Sequence, residues 1–99
     1  QFLARISPND HVVLLDSRGR KYSSEGFALH LGRLFQRSAS SLTFIIGGAY
    51  GFGENIRERA DEVLSMSDMT FPHQMARLIF MEQFYRAMTI LKGEPYHHS

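Results

Sequence analysis

Two stretches of this 99-residue chain are apolar almost without interruption: His11-Val12-Val13-Leu14-Leu15-Asp16 and Leu42-Thr43-Phe44-Ile45-Ile46. A strand with one wet face alternates polar and apolar residues. A continuous aliphatic and β-branched run instead fits a strand covered on both faces, as in a parallel sheet. Parallel neighbours cannot be joined by a tight turn, so each needs a crossover, usually a helix. The sequence supplies them. A helix is expected to start at Ser23 or Ser24, either of which can cap it, with Glu25 in its positive first turn and Phe27, Leu31, Leu34 and Phe35 on one face. A second, surface helix is expected over Glu54–Leu64, with Ile56, Ala60, Val63 and Leu64 as its apolar stripe. A third, short strand is read from Val63 or Leu64 to Ser67, and a terminal helix from Pro72 to Lys92, closed by Gly93 and Pro95. Ser17–Lys21 and Gln36–Ser41 read as loops. The order strand, helix, three times over, predicts one α/β domain across residues 1–99, a parallel sheet with helices on both faces.

In such sheets ligands bind outside the carboxyl ends of the strands. Those ends are Leu15-Asp16, Gly47-Gly48 and the loop from Ser67 to Pro72, so three loops of unusual composition are expected to share one crevice. Pro72 suits the start of a helix and drives Phe71 out of the α region, which constrains the third loop, and the free amides of the following helix point back at it. Gly48, Gly51 and Gly53 are spaced G-x-x-G-x-G, which is neither the dinucleotide fingerprint nor a phosphate-binding P-loop. A glycine pair at a strand end lets a ring or ribose approach the backbone.

Composition removes other classes. Without cysteine there is no disulfide, thiolate metal site or cysteine nucleophile, and no serine stands in a G-x-S-x-G elbow. Of the five histidines only His73, His97 and His98 lie near one another, without an H-x-x-x-H pair, so no metal is expected, and His11 and His30 read as structural or surface residues. No apolar run is long enough to span a bilayer, and a cytoplasmic protein is the default. A net charge of +1 is weak for a protein that holds nucleic acid by charge alone, so RNA contact needs a local cationic cluster or two pooled subunits. The chain opens on Gln1, in a segment that resembles the end of a helix, and structure is expected to precede it.

The terminal helix carries Met75, Leu78, Ile79, Phe80, Met81, Phe84, Tyr85, Ala87, Met88, Ile90 and Leu91 around nearly its whole circumference. A helix apolar all round is buried on more than one side, and in so small a domain the second side points to a partner copy, a homodimer. Glu82 and Arg86, four apart, can pair.

Read in order, Val12-Val13-Leu14-Leu15-Asp16, Ser23-Ser24-Glu25-Gly26, Phe44-Ile45-Ile46-Gly47-Gly48-Ala49-Tyr50-Gly51, Ser67-Asp68-Met69-Thr70-Phe71-Pro72-His73-Gln74-Met75, Tyr85-Arg86-Ala87 and Gly93-Glu94-Pro95-Tyr96-His97 closely resemble the ribosomal RNA large-subunit methyltransferase H family. The resemblance implies a SPOUT-class, S-adenosylmethionine-dependent enzyme that methylates N3 of a pseudouridine in 23S rRNA within the ribosome. It also implies a C-terminal trefoil knot and a homodimer. Carried over by position, the cofactor contacts are Leu15, Gly47 or Gly48, and the run Met66, Ser67, Asp68, Met69, Thr70 and Phe71. Family chains begin with a further strand, helix and strand that this sequence lacks. Tyr96, His97 and His98 are the candidates for positioning substrate, with His97 a possible base; Arg77 and Arg86 could stabilise an anion or bind phosphate, and Arg18, Arg20 and Lys21 could meet RNA phosphate. The rival readings are a non-catalytic dimeric RNA-binding module and, disfavoured by the glycine spacing, a nucleotide-binding α/β enzyme.

Overall fold

A computed structural model describes residues 8–37, 41–47 and 53–93. Its elements alternate as β1 (His11–Lys21), α1 (Ser24–Phe35), β2 (Leu42–Ile46), α2 (Glu54–Arg59), β3 (Glu62–Ser65) and α3 (His73–Lys92). The three strands form one parallel sheet in the order β2-β1-β3. The uninterrupted aliphatic run lies in the central strand, where both faces need cover.

Successive side chains of β1 serve opposite faces, as the pleat requires. Val13 and Leu15 join Leu64 against Phe27, Ala28, Leu31 and Leu34 of α1 and Phe80 and Ala87 of α3. Val12 and Leu14 turn the other way with Ile45, where Ile56, Ala60 and Val63 pack over them. Helical residues therefore lie on both faces. On the first face Phe27, Phe44, Phe80 and Phe84 form a linked aromatic group, with Phe44 and Phe80 ring centroids 4.7 Å apart. Full burial of a side chain such as Leu14 stabilises the fold by about 2 kcal/mol.

Local signals set the helix ends. The Ser23 hydroxyl accepts from the Gly26 amide at 2.9 Å, so Ser23 is the cap of α1. Gly93 ends α3 in the left-handed conformation, φ 71°, and its N–H donates to the Ile90 carbonyl.

Two expectations change. The surface helix stops at Arg59, because the Asp61 amide donates to the Val12 carbonyl at 2.8 Å and the Val12 amide donates to the Asp61 carboxylate at 2.8 Å. This exchange seats Glu62–Ser65 beside β1 as a strand, with Val63 on one face and Leu64 on the other. The basic stretch Ser17–Lys21 is part of β1, not a free loop. Leu15 and Arg20 are both in register with Leu64, so the residues between them are extra to the ladder. Gly19 makes this possible: a Cβ there would stand 2.6 Å from the backbone carbonyl carbon and oxygen of Val63.

Candidate cofactor crevice

Leu15 is in register with Ile46 on one side and Leu64 on the other, so the ends of β2 and β3 lie level with Leu15. The carboxyl end of β1, expected at Leu15-Asp16, lies further on at Lys21, because the chain resumes beside β3 past the irregularity. Gly47 follows Ile46 directly and Met66 stands two residues past Leu64, so both loops open beside Leu15. Gly48 lies outside the described residues, as do Tyr96, His97 and His98.

The third wall is shaped by its own side chains. The buried Ser65 hydroxyl donates to the Ser67 carbonyl at 2.8 Å and accepts from the Ser67 amide at 3.2 Å, and the Ser67 hydroxyl accepts from the Met69 amide at 3.0 Å. Short side-chain oxygens that bond the backbone two residues away fix a turn without strand or helix. The loop then presents Asp68, Met69, Thr70 and Phe71 outward, with Met69 73% exposed. Pro72 caps α3 by backbone geometry alone, with no side chain on the first amides of the helix.

Each wall is tied to an element beyond itself. Asp16, where β1 enters its irregularity, accepts from the Arg18 amide at 3.0 Å, from Arg18 Nε and Nη2 at 3.2 and 3.0 Å, and from Arg57 Nη2 of α2 at 2.9 Å. These bonds, Arg18's side chain foremost, hold the Asp16 carboxyl well below the usual carboxylate range against the opposing pull of burial. Lys21 pairs with Asp68, joining the end of β1 to the third wall. His73 Nδ1 meets the Gly47 carbonyl at 3.1 Å, joining α3 to the end of β2. A cavity of 310 Å³ opens between the start of α1, the end of β3 and α3, with Ser65 and Met66 in its wall.

The cations named from sequence fare differently. Arg18 is held by Asp16, Arg20 lies over the Tyr22 ring at 5.2 Å, and Lys21 is paired. Arg86 makes a two-point contact with Glu82, at 2.7 and 3.2 Å. Arg77 is exposed, with no ion pair among the described residues. Sequence reading missed the ties through Asp16 and His73. Their signals were a carboxylate ending a buried strand and a histidine opening a helix, the latter weighed only as a metal ligand. Among the described residues no group of three or more His, Asp or Glu could hold a metal ion, and no helix is long and apolar enough to cross a membrane.

A family model described as "Predicted SPOUT methyltransferase" matches residues 1–97. The chain belongs to the SPOUT methyltransferase family. Three of its relatives carry the name Ribosomal RNA large subunit methyltransferase H. That of Christiangramia forsetii is 51% identical over 96 residues, 97% of this chain and 61% of the relative. That of Bacteroides thetaiotaomicron is 52% identical, again over 97% and 61%. That of Porphyromonas gingivalis is 51% identical over 99% of this chain and 62% of the relative. The SPOUT chain thus spans about three fifths of the length of the relatives it matches.

Proposed function

We propose that the protein is an S-adenosylmethionine-dependent methyltransferase acting on N3 of a pseudouridine in 23S rRNA, in the cytoplasm, where ribosomes are. The observation that carries the reading is that the ends of β2 and β3 lie level with Leu15 of β1 and open a cross-tied crevice there, on the side of the sheet where α/β folds bind ligands, in a SPOUT family member. The residues suit an adenosyl sulfonium. Gly47 allows close approach, Leu15 and Met66 offer apolar contact, and Ser67 to Phe71 offer backbone and small polar groups. The cofactor supplies a methyl group on a positively charged sulfur.

The chain's own residues supply position. A ring nitrogen must be held in line and near contact with the methyl carbon. Tyr96, His97 and Arg86 are assigned to hold the target base. In the family resemblance the Met66–Phe71 loop would be part of a trefoil knot.

Met75, Leu78, Met81 and Tyr85 form an exposed stripe on α3, with Leu78 63% and Met81 60% exposed. A patch of this kind marks an interface, and a second copy of the chain is its occupant in this reading. Leu78→Asp is expected to yield a monomer by analytical ultracentrifugation with little loss of fold.

Calorimetry of the full-length protein with S-adenosylmethionine tests the cofactor assignment; no binding by a folded protein defeats it. Transfer of labelled methyl to ribosomes, with the product nucleoside identified by mass spectrometry, tests the substrate. RNA binding with no transfer favours the non-catalytic module instead.

A further inference from the structure

The bond between His73 and Gly47 fixes more than the start of α3. The Gly47 carbonyl oxygen can only accept, so Nδ1 of His73 carries the proton. In a neutral imidazole this leaves Nε2 with a bare lone pair. The two other described histidines have Nε2 engaged on Glu62, at 2.6 Å from His11 and 2.7 Å from His30. Nε2 of His73 has no such partner among the described residues, and the side chain is exposed beside the candidate crevice. The ring follows Phe71 and Pro72 directly, and its anchor, Gly47, is itself one wall. Arg77 stands one helical turn further along α3, exposed and unpaired among the described residues.

We propose that His73 is the proton acceptor of this site, with Nδ1 held by Gly47 so that Nε2 receives the proton of a ring N–H. The proposal rests on the methyltransferase reading above and assigns the proton-removing step that its N3–H target requires. A base nitrogen with a bare lone pair needs no acceptor, whereas an imide-type N–H does. The imide proton passes to Nε2, and the nitrogen's electron pair forms the bond to the methyl carbon. The carbon–sulfur pair stays on sulfur, so the positive charge lost there ends on the imidazolium, which releases its proton to water. The Arg77 guanidinium, one helical turn away and exposed, would favour the anion that develops as the N–H ionises.

The decisive variant is His73→Asn, whose amide can still donate to the Gly47 carbonyl but places nothing at Nε2. In the full-length protein it is expected to bind S-adenosylmethionine within about twofold of wild type while methyl transfer falls by about 10²–10⁴-fold. Added imidazole is expected to restore part of the rate to His73→Ala. Nitrogen-15 spectra of the wild-type ring are expected to show the Nδ1-protonated tautomer, a readout independent of activity. The Nε2-protonated tautomer, or wild-type transfer by His73→Asn, overturns the proposal, as does a loss confined to His97→Asn. A wild-type protein that transfers no methyl group to RNA overturns the methyltransferase reading and this proposal with it. An active wild type with an equally active His73→Asn overturns this proposal alone.

Discussion

At the amino-terminal end of the sheet the polar groups meet one another. Glu62 takes His11 and His30, Asp61 takes Arg59 and the Val12 amide, and Arg59 also reaches the Asp10 carbonyl. The carboxyl end is finished differently. Its walls are tied to their surroundings, by Asp16–Arg57 to the second helix, by Lys21–Asp68 between β1 and the third loop and by His73–Gly47 to the terminal helix, while Met69, Phe71 and Arg77 stay exposed. One end spends its polar groups on holding the chain together. The other positions them and leaves them open, as a site for something else must.

Substitutions at the two ends should therefore separate stability from binding. The largest effect is expected between them, where β1 resumes beside β3. Gly19→Ala puts a Cβ against the Val63 backbone, which cannot yield as a side chain would. A loss of about 3 kcal/mol is expected in urea titration, enough to threaten the fold. A variant with wild-type stability would show that this crossing is loose.

Glu62→Gln comes next. A neutral amide cannot accept from two histidines as the carboxylate does, and a loss of about 2 kcal/mol is expected with cofactor affinity unchanged. Weakened cofactor binding with intact stability would erase the contrast between the ends.

Asp16→Asn should show the opposite pattern, a smaller stability loss of about 1 kcal/mol and cofactor binding weakened by about tenfold. Its pH dependence has a definite sign. Arg18 and Arg57 depress the folded-state pKa of Asp16, so the stabilisation is fully present above the unfolded value near 3.9, and it drains away as pH falls below that. Wild-type and variant stabilities are expected to converge on acidification below about pH 4 and to stay apart at pH 7. A gap that widens in acid contradicts the assignment.

Lys21→Ala should do least. Both partners of the Lys21–Asp68 pair are largely exposed, and about 0.5 kcal/mol or less is expected. A measured change in protease cleavage within residues 66–71 would show that this tie shapes the loop despite its small contribution to stability.

The strands, the capping Ser23 and the closing Gly93 were legible because each depends on nearby residues: an aliphatic run, a hydroxyl three residues before an amide, a residue tolerant of positive φ. The end of the second helix was not. Glu54 to Leu64 carries a helical stripe, and only the amide exchange between Asp61 and Val12, far apart in sequence, converts its last part to strand. The alternation of Val63 and Leu64 was the available signal, and four residues are too few to outweigh a helical period. Ser17–Lys21 misled for a related reason: charged residues look like loop until Gly19 is seen against another strand. In the crevice, the ends of β2 and β3 beside Leu15 followed from topology, while the true end of β1 at Lys21 and the ties through Asp16, Lys21 and His73 required the folded chain.

The central position of β1 also has a cost during synthesis. Its aliphatic run Val12–Leu15 is made before either neighbouring strand, and Glu62 and Val63, which flank it on one side, follow roughly fifty residues later, about 3–10 s at ordinary translation rates. Through that interval β1 lacks its partner strand on one edge, and the face that Ile56, Ala60 and Val63 cover is incomplete. Nascent chains of this protein are expected to be most prone to aggregation, and to engage chaperones most, until Ser65 has emerged from the ribosome.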